Sequence, residues 1–217
     1  MRKKVSIVFM AFGVLLIAAA ILLAVYNRRQ EQRAADAVDS VMPLLHQAIE
    51  ANSIADEPDS SANGPDPNAP ETDTKPPAEE TDSDRMPVAE IDGYGYIGYL
   101  SIPALGLELP VMSEWDYTRL KKSPCLYYGS VKTDNMVIAA HNYTQHFGRL
   151  SDLKTGDAVR FTDVDGTVYN YQVGDVETLP PTATEEMITS DWNLTLYTCT
   201  YGGKNRVTVR CERTIGK

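Results

Sequence analysis

The sequence predicts an all-β domain, an antiparallel barrel or sandwich of about seven or eight strands with short helices, carried behind one transmembrane helix and a disordered tether. Three observations predict it. Residues 5–26 run 22 positions without a charge, residues 52–87 are mostly Pro, Asp, Glu, Ser, Thr and Asn, and residues 91–217 hold short apolar or alternating runs separated by turn residues. The 217-residue length and 43% hydrophobic content allow one or two domains. Charge is uneven: net +2 over residues 1–50, −9 over 51–90 and −3 over 91–217, within a total of −10. The folded segment therefore lacks the basic face that phosphate neutralisation needs, and no nucleic-acid partner is expected.

At 1.5 Å per residue the uncharged run is long enough to cross a hydrocarbon core of roughly 30 Å. A cleaved signal peptide is the alternative, but its apolar region spans about 7–15 residues and ends at a small-residue site. This run continues instead to Tyr26, Asn27, Arg28 and Arg29. Arg2, Lys3 and Lys4 on one side balance Arg28, Arg29 and Arg33 on the other, so charge alone does not orient the span. The chain divides into an anchor at 1–27, a helical stem at 28–51, an acidic Pro-rich linker at 52–87 and a folded domain at 88–217. In the stem, Ala34, Ala37, Val38, Val41, Leu44, Leu45, Ala48 and Ile49 fall at helical spacing with Pro43 interrupting. A kinked stem or a pair of short helices follows, or a partly ordered continuation of the membrane helix. The linker is too polar to pack a core, and as a flexible coil would have an end-to-end distance of roughly 35 Å. It leaves the domain near the membrane and free to reach.

Within the domain the strand runs are YIGYLSI, LELPVM, NMVIAA, AVRFTDV, TVYNYQV, LTLYTC and RVTVRC, with a turn at Val164-Asp165-Gly166-Thr167. The best short helices are residues 115–122 and 145–153.

Three cysteines, Cys125, Cys199 and Cys211, are too few and scattered for a disulfide framework or a Cys-based zinc site. Cys199 closes LTLYTC where strand passes into loop, a position that exposes a side chain while the strand holds it, as a nucleophile requires. Cys211 alternates with Val207 and Val209 and faces the core; Cys125 is either a buried thiol or the partner of Cys211. A thiol with a pKa near 8.5 needs an imidazole or a cation beside it to react at neutral pH. His46 precedes the tether and is set aside. His141 ends the run Met136-Val137-Ile138-Ala139-Ala140, whereas His146 sits in a polar loop, so the more rigid His141 is preferred. A hairpin through Gly202-Gly203 brings Arg206 back beside Cys199, with Arg210 about 13 Å further along the strand. Arg206 is the candidate to stabilise a substrate carbonyl or its oxyanion.

These residues together resemble the sortases, cysteine transpeptidases of Gram-positive bacterial surfaces. Thr195-Leu196-Tyr197-Thr198-Cys199 fits the family's TLxTC motif, His141 in Ala-Ala-His-Asn matches the family histidine, and Arg206 matches the family arginine. The opening Gly98-Tyr99-Leu100-Ser101-Ile102-Pro103 through Leu109-Pro110-Val111 also looks like the family's first strands, so the likeness spans residues 91–217. It implies a sortase-type eight-stranded β-barrel. It further implies that the Cys199 thiolate attacks an LPXTG-like sorting signal to form a thioester that an amine resolves. His141 then serves as general acid and later base, Arg206 holds the substrate carbonyl, and the Thr198 region lines the cleft. The implied partners are sorting-signal-bearing surface proteins and an amine of the cell wall or its peptidoglycan precursor. The implied placement is a single-pass membrane protein with its N-terminus cytoplasmic and its domain outside. With no second hydrophobic helix after Cys211 and no aromatic-acidic lid before the barrel, it is not expected to fall in the pilin-polymerising class. Glu185, Glu186 and Asp191 are read as solvated carboxylates, and no metal or other cofactor is expected. Two alternatives stand beside this reading: an L,D-transpeptidase-like cell-wall enzyme, whose His-Gly-Cys signature is missing here, and a tethered β-barrel that binds a ligand with Cys199 incidental. Replacing Arg210 by alanine is expected to be mild.

Overall fold

The computed structural model describes residues 2–54 and 84–214. The middle of the predicted linker, residues 55–83, lies outside the described residues. Helix α1 (Arg2–Ile54) is 53 residues long and runs unbroken through Pro43. The kinked stem and the helix pair are thus replaced by the third expectation, a continuation of the apolar helix. Pro43 is exposed, so water can meet the backbone carbonyl that proline leaves without a donor.

The two halves of α1 face different surroundings. Leu15, Ile17 and Leu22 stay exposed, while Ala34, Val38, Val41, Leu45 and Ile49 are buried. That second set recurs every three or four residues, the stripe by which a helix packs on a neighbour. At its end the Asn52 side-chain amide donates to the Val164 carbonyl at 3.0 Å. The stem expected to lead into a free tether is instead docked on the domain, because its apolar stripe is stabilised by leaving water.

The strands are β1 (Ala89–Ile91), β2 (Tyr94–Ile102), β3 (Leu107–Met112), β4 (Cys125–Tyr128), β5 (Met136–Ala139), β6 (Ala158–Asp163), β7 (Val168–Leu179), β8 (Leu194–Cys199) and β9 (Arg206–Arg213). They form one sheet in the order β1-β2-β3-β4-β5-β8-β9-β7-β6, and a further β2–β6 pairing closes it. Strands β2 to β9 thus make an eight-stranded barrel, with β1 an added edge. Closure needs a close approach at Gly98, which has φ of 142° and pairs with Asp163; a Cβ there would stand 2.0 Å from the Thr162 carbonyl oxygen. Strands β1 and β4 were not among the predicted runs, at three and four residues too short to show alternation.

The barrel departs from an all-antiparallel one. Strand β3 touches β4 in parallel at Met112 and Cys125, and β5 pairs with β8 in parallel over four positions. Helix α2 (Tyr117–Leu120) falls inside the predicted 115–122 helix, capped by the Asp116 carboxylate, which accepts from the Thr118 and Arg119 N–H groups at 2.6 and 2.7 Å. The predicted helix at 145–153 shrinks to a 3-10 turn, Leu150–Asp152. Helix α3 (Thr184–Ile188) lies in the β7–β8 connection. Inside the barrel sit Leu100, Phe161, Leu196, Val209 and Cys211; a second apolar layer, with Leu45, Met112, Ala139, Met187 and Tyr197, lies between the barrel wall and the helices.

Candidate active site

The parallel pairing of β5 with β8 brings the C-terminal ends of both strands to one place. Ala139 stands opposite Tyr197, the Ala140 N–H donates to the Tyr197 carbonyl at 3.2 Å, and the Thr198 hydroxyl donates to the Ala140 carbonyl at 2.8 Å. His141 and Cys199 are the next residues out from this clasp. On the other side of β8, Cys199 pairs in register with Arg206 of β9. Cys199, His141 and Arg206 all line one cleft of about 150 Å³.

The cleft is walled by aromatic rings. Trp115 lies 5.4 Å from Tyr117 and 5.7 Å from Tyr127, and Tyr127 lies 5.3 Å from Tyr197. Thr184 and Met187 of α3 form another part of the wall. Strand alternation decides which β8 side chains take part: Tyr197 and Cys199 share the outer face, while Leu196 and Thr198 point the other way. Thr198, expected on the cleft wall, is therefore not among the residues lining it, and its hydroxyl is spent on Ala140.

Among the three cysteines, all free thiols, only Cys199 is partly exposed. Burial pushes the Cys211 thiol up to about 12 and raises the Cys125 thiol also. The pairing of Cys125 with Cys211, left open by the sequence, is not made: the two lie in separate apolar layers. His141 is half-buried, its Nε2 has no hydrogen-bond partner among the described residues, and burial followed by the charge of Lys121 holds its imidazole below 6.5. Tyr143 leans on the His141 ring at 5.0 Å and on the His146 ring at 5.6 Å. His146 is fully buried, neither ring nitrogen has a partner among the described residues, and burial followed by His141 pushes it down to about 4. It does not line the cleft. His46 packs edge-on against Tyr99 at 4.9 Å.

The two arginines of β9 differ sharply. Arg206 Nη1 donates to the Gly203 and Asn205 carbonyls at 3.3 and 3.4 Å, which holds the guanidinium at the cleft rim. Arg210 is 3% exposed and donates to Glu177 at 2.7 Å, to Thr195 at 3.0 Å, to Ser190 at 3.3 Å and to the Glu186 carbonyl at 3.0 Å. It ties α3 and its flank to the barrel. Sequence reasoning missed this clasp and the aromatic wall; alternation of Tyr197 with Cys199 was the one available signal for the wall.

A model of the sortase domain matches residues 100–214. The chain belongs to the sortase family. Among solved structures it resembles sortase C1 from Streptococcus agalactiae, with 28% identity and a TM-score of 0.51 over 59% of this chain and 72% of that one. It also resembles sortase A from Corynebacterium diphtheriae, with 25% identity and a TM-score of 0.51 over 57% of this chain and 63% of that one. A third relative is sortase C from Streptococcus pneumoniae, described for its catalysis and pilin substrate specificity, with 31% identity and a TM-score of 0.50 over 56% of this chain and 67% of that one. Comparison with curated proteins returned no match. Sortase membership implies a cysteine transpeptidase in general terms, in place of the L,D-transpeptidase and ligand-binding alternatives. The expectation of a class apart from pilin polymerases finds no support, since a pilin enzyme stands among these similar structures.

Proposed function

We propose that this sortase is a membrane-anchored transpeptidase that cleaves an LPXTG-like sorting signal and transfers the surface protein to a cell-wall amine. The convergence of Cys199, His141 and Arg206 on one cleft carries the reading. The Cys199 thiolate adds to the carbonyl carbon of the scissile Thr–Gly or equivalent bond. Arg206 donates to the carbonyl oxygen as negative charge develops there, where a fixed cation lowers the barrier most. The C–N bond breaks, His141 gives its proton to the leaving amine, and a thioester remains. An incoming amine attacks that thioester while the now neutral His141 takes its proton; a new amide forms, the C–S bond breaks and the Cys199 thiolate leaves beside a reprotonated His141. The unpartnered Nε2 of His141 and the depression of its pKa suit the base half of this cycle. The uncharged stretch in α1 is apolar and long enough to span a membrane, which supports an N-terminal anchor at residues 1–27, N-terminus cytoplasmic, and a catalytic domain outside at 88–217.

The test uses the full chain in vesicles with quenched fluorescent sorting peptides, with and without an amine acceptor. Cleavage with peptide–amine product, abolished in Cys199→Ala and in His141→Ala, is the expected result. Cleavage that survives Cys199→Ala, or silence across the peptide panel with Cys199 inert to a vinyl sulfone, overturns it.

A further inference from the structure

The contacts of α1, followed from its C-terminal end toward the apolar span, cross the barrel in a fixed order. Asn52 and Ile49 meet the β6–β7 turn at Val164 and Gly166. His46 meets Tyr99 of β2. Ala35 and Val38 share a groove with Leu107 of β3 and with Gln145. Gln145 belongs to the loop that follows His141. Further still, Tyr26 and Glu31 lie close enough to Tyr143 to act on its hydroxyl electrostatically, raising it after burial has done so. Tyr143 in turn leans on His141. The His141 loop is thus the last part of the barrel that α1 meets before the apolar span, and the β6–β7 turn is the first. The two levels are separated by roughly 20 helical residues, about 30 Å along the axis.

We propose that the cleft end of the barrel rests against the membrane surface, with an anionic lipid face as its partner, so that Cys199 meets sorting peptides close to the bilayer. This rests on reading α1 as the membrane span. An unbroken helix whose second half, Ala34 to Ile49, is docked on the barrel leaves the barrel little freedom to turn its cleft outward. The side chains presented there suit a lipid interface. Arg28, Arg29 and Arg33 follow the span on an exposed stretch of α1, and basic residues at that depth are attracted to anionic headgroups. Just past Cys199, the β8–β9 hairpin holds Tyr201 at 98% exposure, with Lys204 two residues beyond the Gly202 bend. A solvated tyrosine beside a lysine is unexplained by packing and is the pairing found at membrane interfaces.

Depth measured by nitroxide labels tests this without any need for catalysis. Labels are placed at Gln145→Cys, Tyr201→Cys and Val168→Cys, each in the Cys199→Ala full chain, whose remaining thiols are buried. The chain is set in vesicles of phosphatidylcholine and phosphatidylglycerol with a nickel chelate on a fraction of the headgroups. Relaxation by nickel is expected to be several-fold stronger at positions 145 and 201 than at 168. Equal relaxation at all three positions, as a swinging tether would produce, or stronger relaxation at 168, overturns the proposal. In a second arm a helical heptad inserted after Tyr26 raises the barrel by about 10 Å. In the labelled Cys199→Ala chains it is expected to weaken relaxation at 145 and 201, and in the unlabelled chain that keeps Cys199 to slow cleavage of a membrane-embedded sorting signal while a soluble peptide is cleaved at the original rate. A heptad chain with unchanged relaxation counts against the proposal. Absence of soluble-peptide cleavage in the unaltered chain would count against the enzymatic reading alone, since the relaxation ranking stands apart from it.

Discussion

Arg206 and Arg210 sit on the same face of β9, yet their surroundings assign them opposite work. Arg206 at the cleft rim donates to the neighbouring loop carbonyls of Gly203 and Asn205. Its replacement by alanine should lower kcat/KM by about 10²–10³-fold with little change in Tm, the scale seen when an oxyanion donor is lost. Arg210→Ala, which its strand position alone made look mild, removes four side-chain hydrogen bonds of a buried cation. It should cost on the order of 3 kcal/mol. Thermal melts of both variants beside peptide kinetics check the contrast, and a stable Arg210→Ala would contradict it. His146 supports a prediction about acid. Its folded pKa of about 4 lies below the free value of 6.5, so the unfolded chain binds a proton that the folded chain refuses between those values. Stability contributed by the neutral buried ring is present above pH 6.5 and is lost as pH falls toward 4, on the order of 3 kcal/mol in all. His146→Phe keeps a ring and removes two unpartnered nitrogens, so its stability should fall less steeply over that window in urea titrations.

At the scale of elements, the parallel β5–β8 pair builds the site. Each strand is short and neither alone shows its partner, but together they bring His141 and Cys199 to one cleft, held by Thr198 and the Ala140 N–H. Thr198→Val keeps the shape and deletes the hydroxyl, leaving the Ala140 carbonyl short of a buried donor. The expected cost is about 1–2 kcal/mol, accompanied by a fall in kcat larger than any change in KM, because the strands' ends are what the bond aligns. A kinetic profile with kcat intact would remove Thr198 from this role. Strand alternation was legible in LTLYTC and RVTVRC, which is why Cys199, Arg206 and the inward-facing Cys211 are where the sequence puts them. It was silent in CLYY and AEI, where too few residues show a period, and α3 has only one turn in which to show another.

At the scale of the molecule, α1 is part of the domain rather than a leash for it. Its buried face covers apolar side chains of β1, β2 and β3, including Ile91, Tyr96 and Met112. A chain beginning at residue 84 should therefore melt at a lower temperature, and bind a hydrophobic dye more strongly, than one beginning at residue 28. Val38, Val41, Leu45 and Ile49 are each worth about 1.5–3 kcal/mol of burial before the ordering entropy of the helix is counted. Equal melting temperatures would show that the docked face contributes nothing. By itself the sequence determined the membrane-length helix and the β-rich domain and singled out three candidate groups, because each is written locally in hydropathy, alternation or a short motif. Only the tertiary structure decided that β5 runs parallel to β8, that Arg210 is a clasp, that Thr198 turns from the cleft and that the stem lies on the barrel. Those depend on which distant segments share buried surface and hydrogen bonds, a property of pairs of segments that no single segment carries.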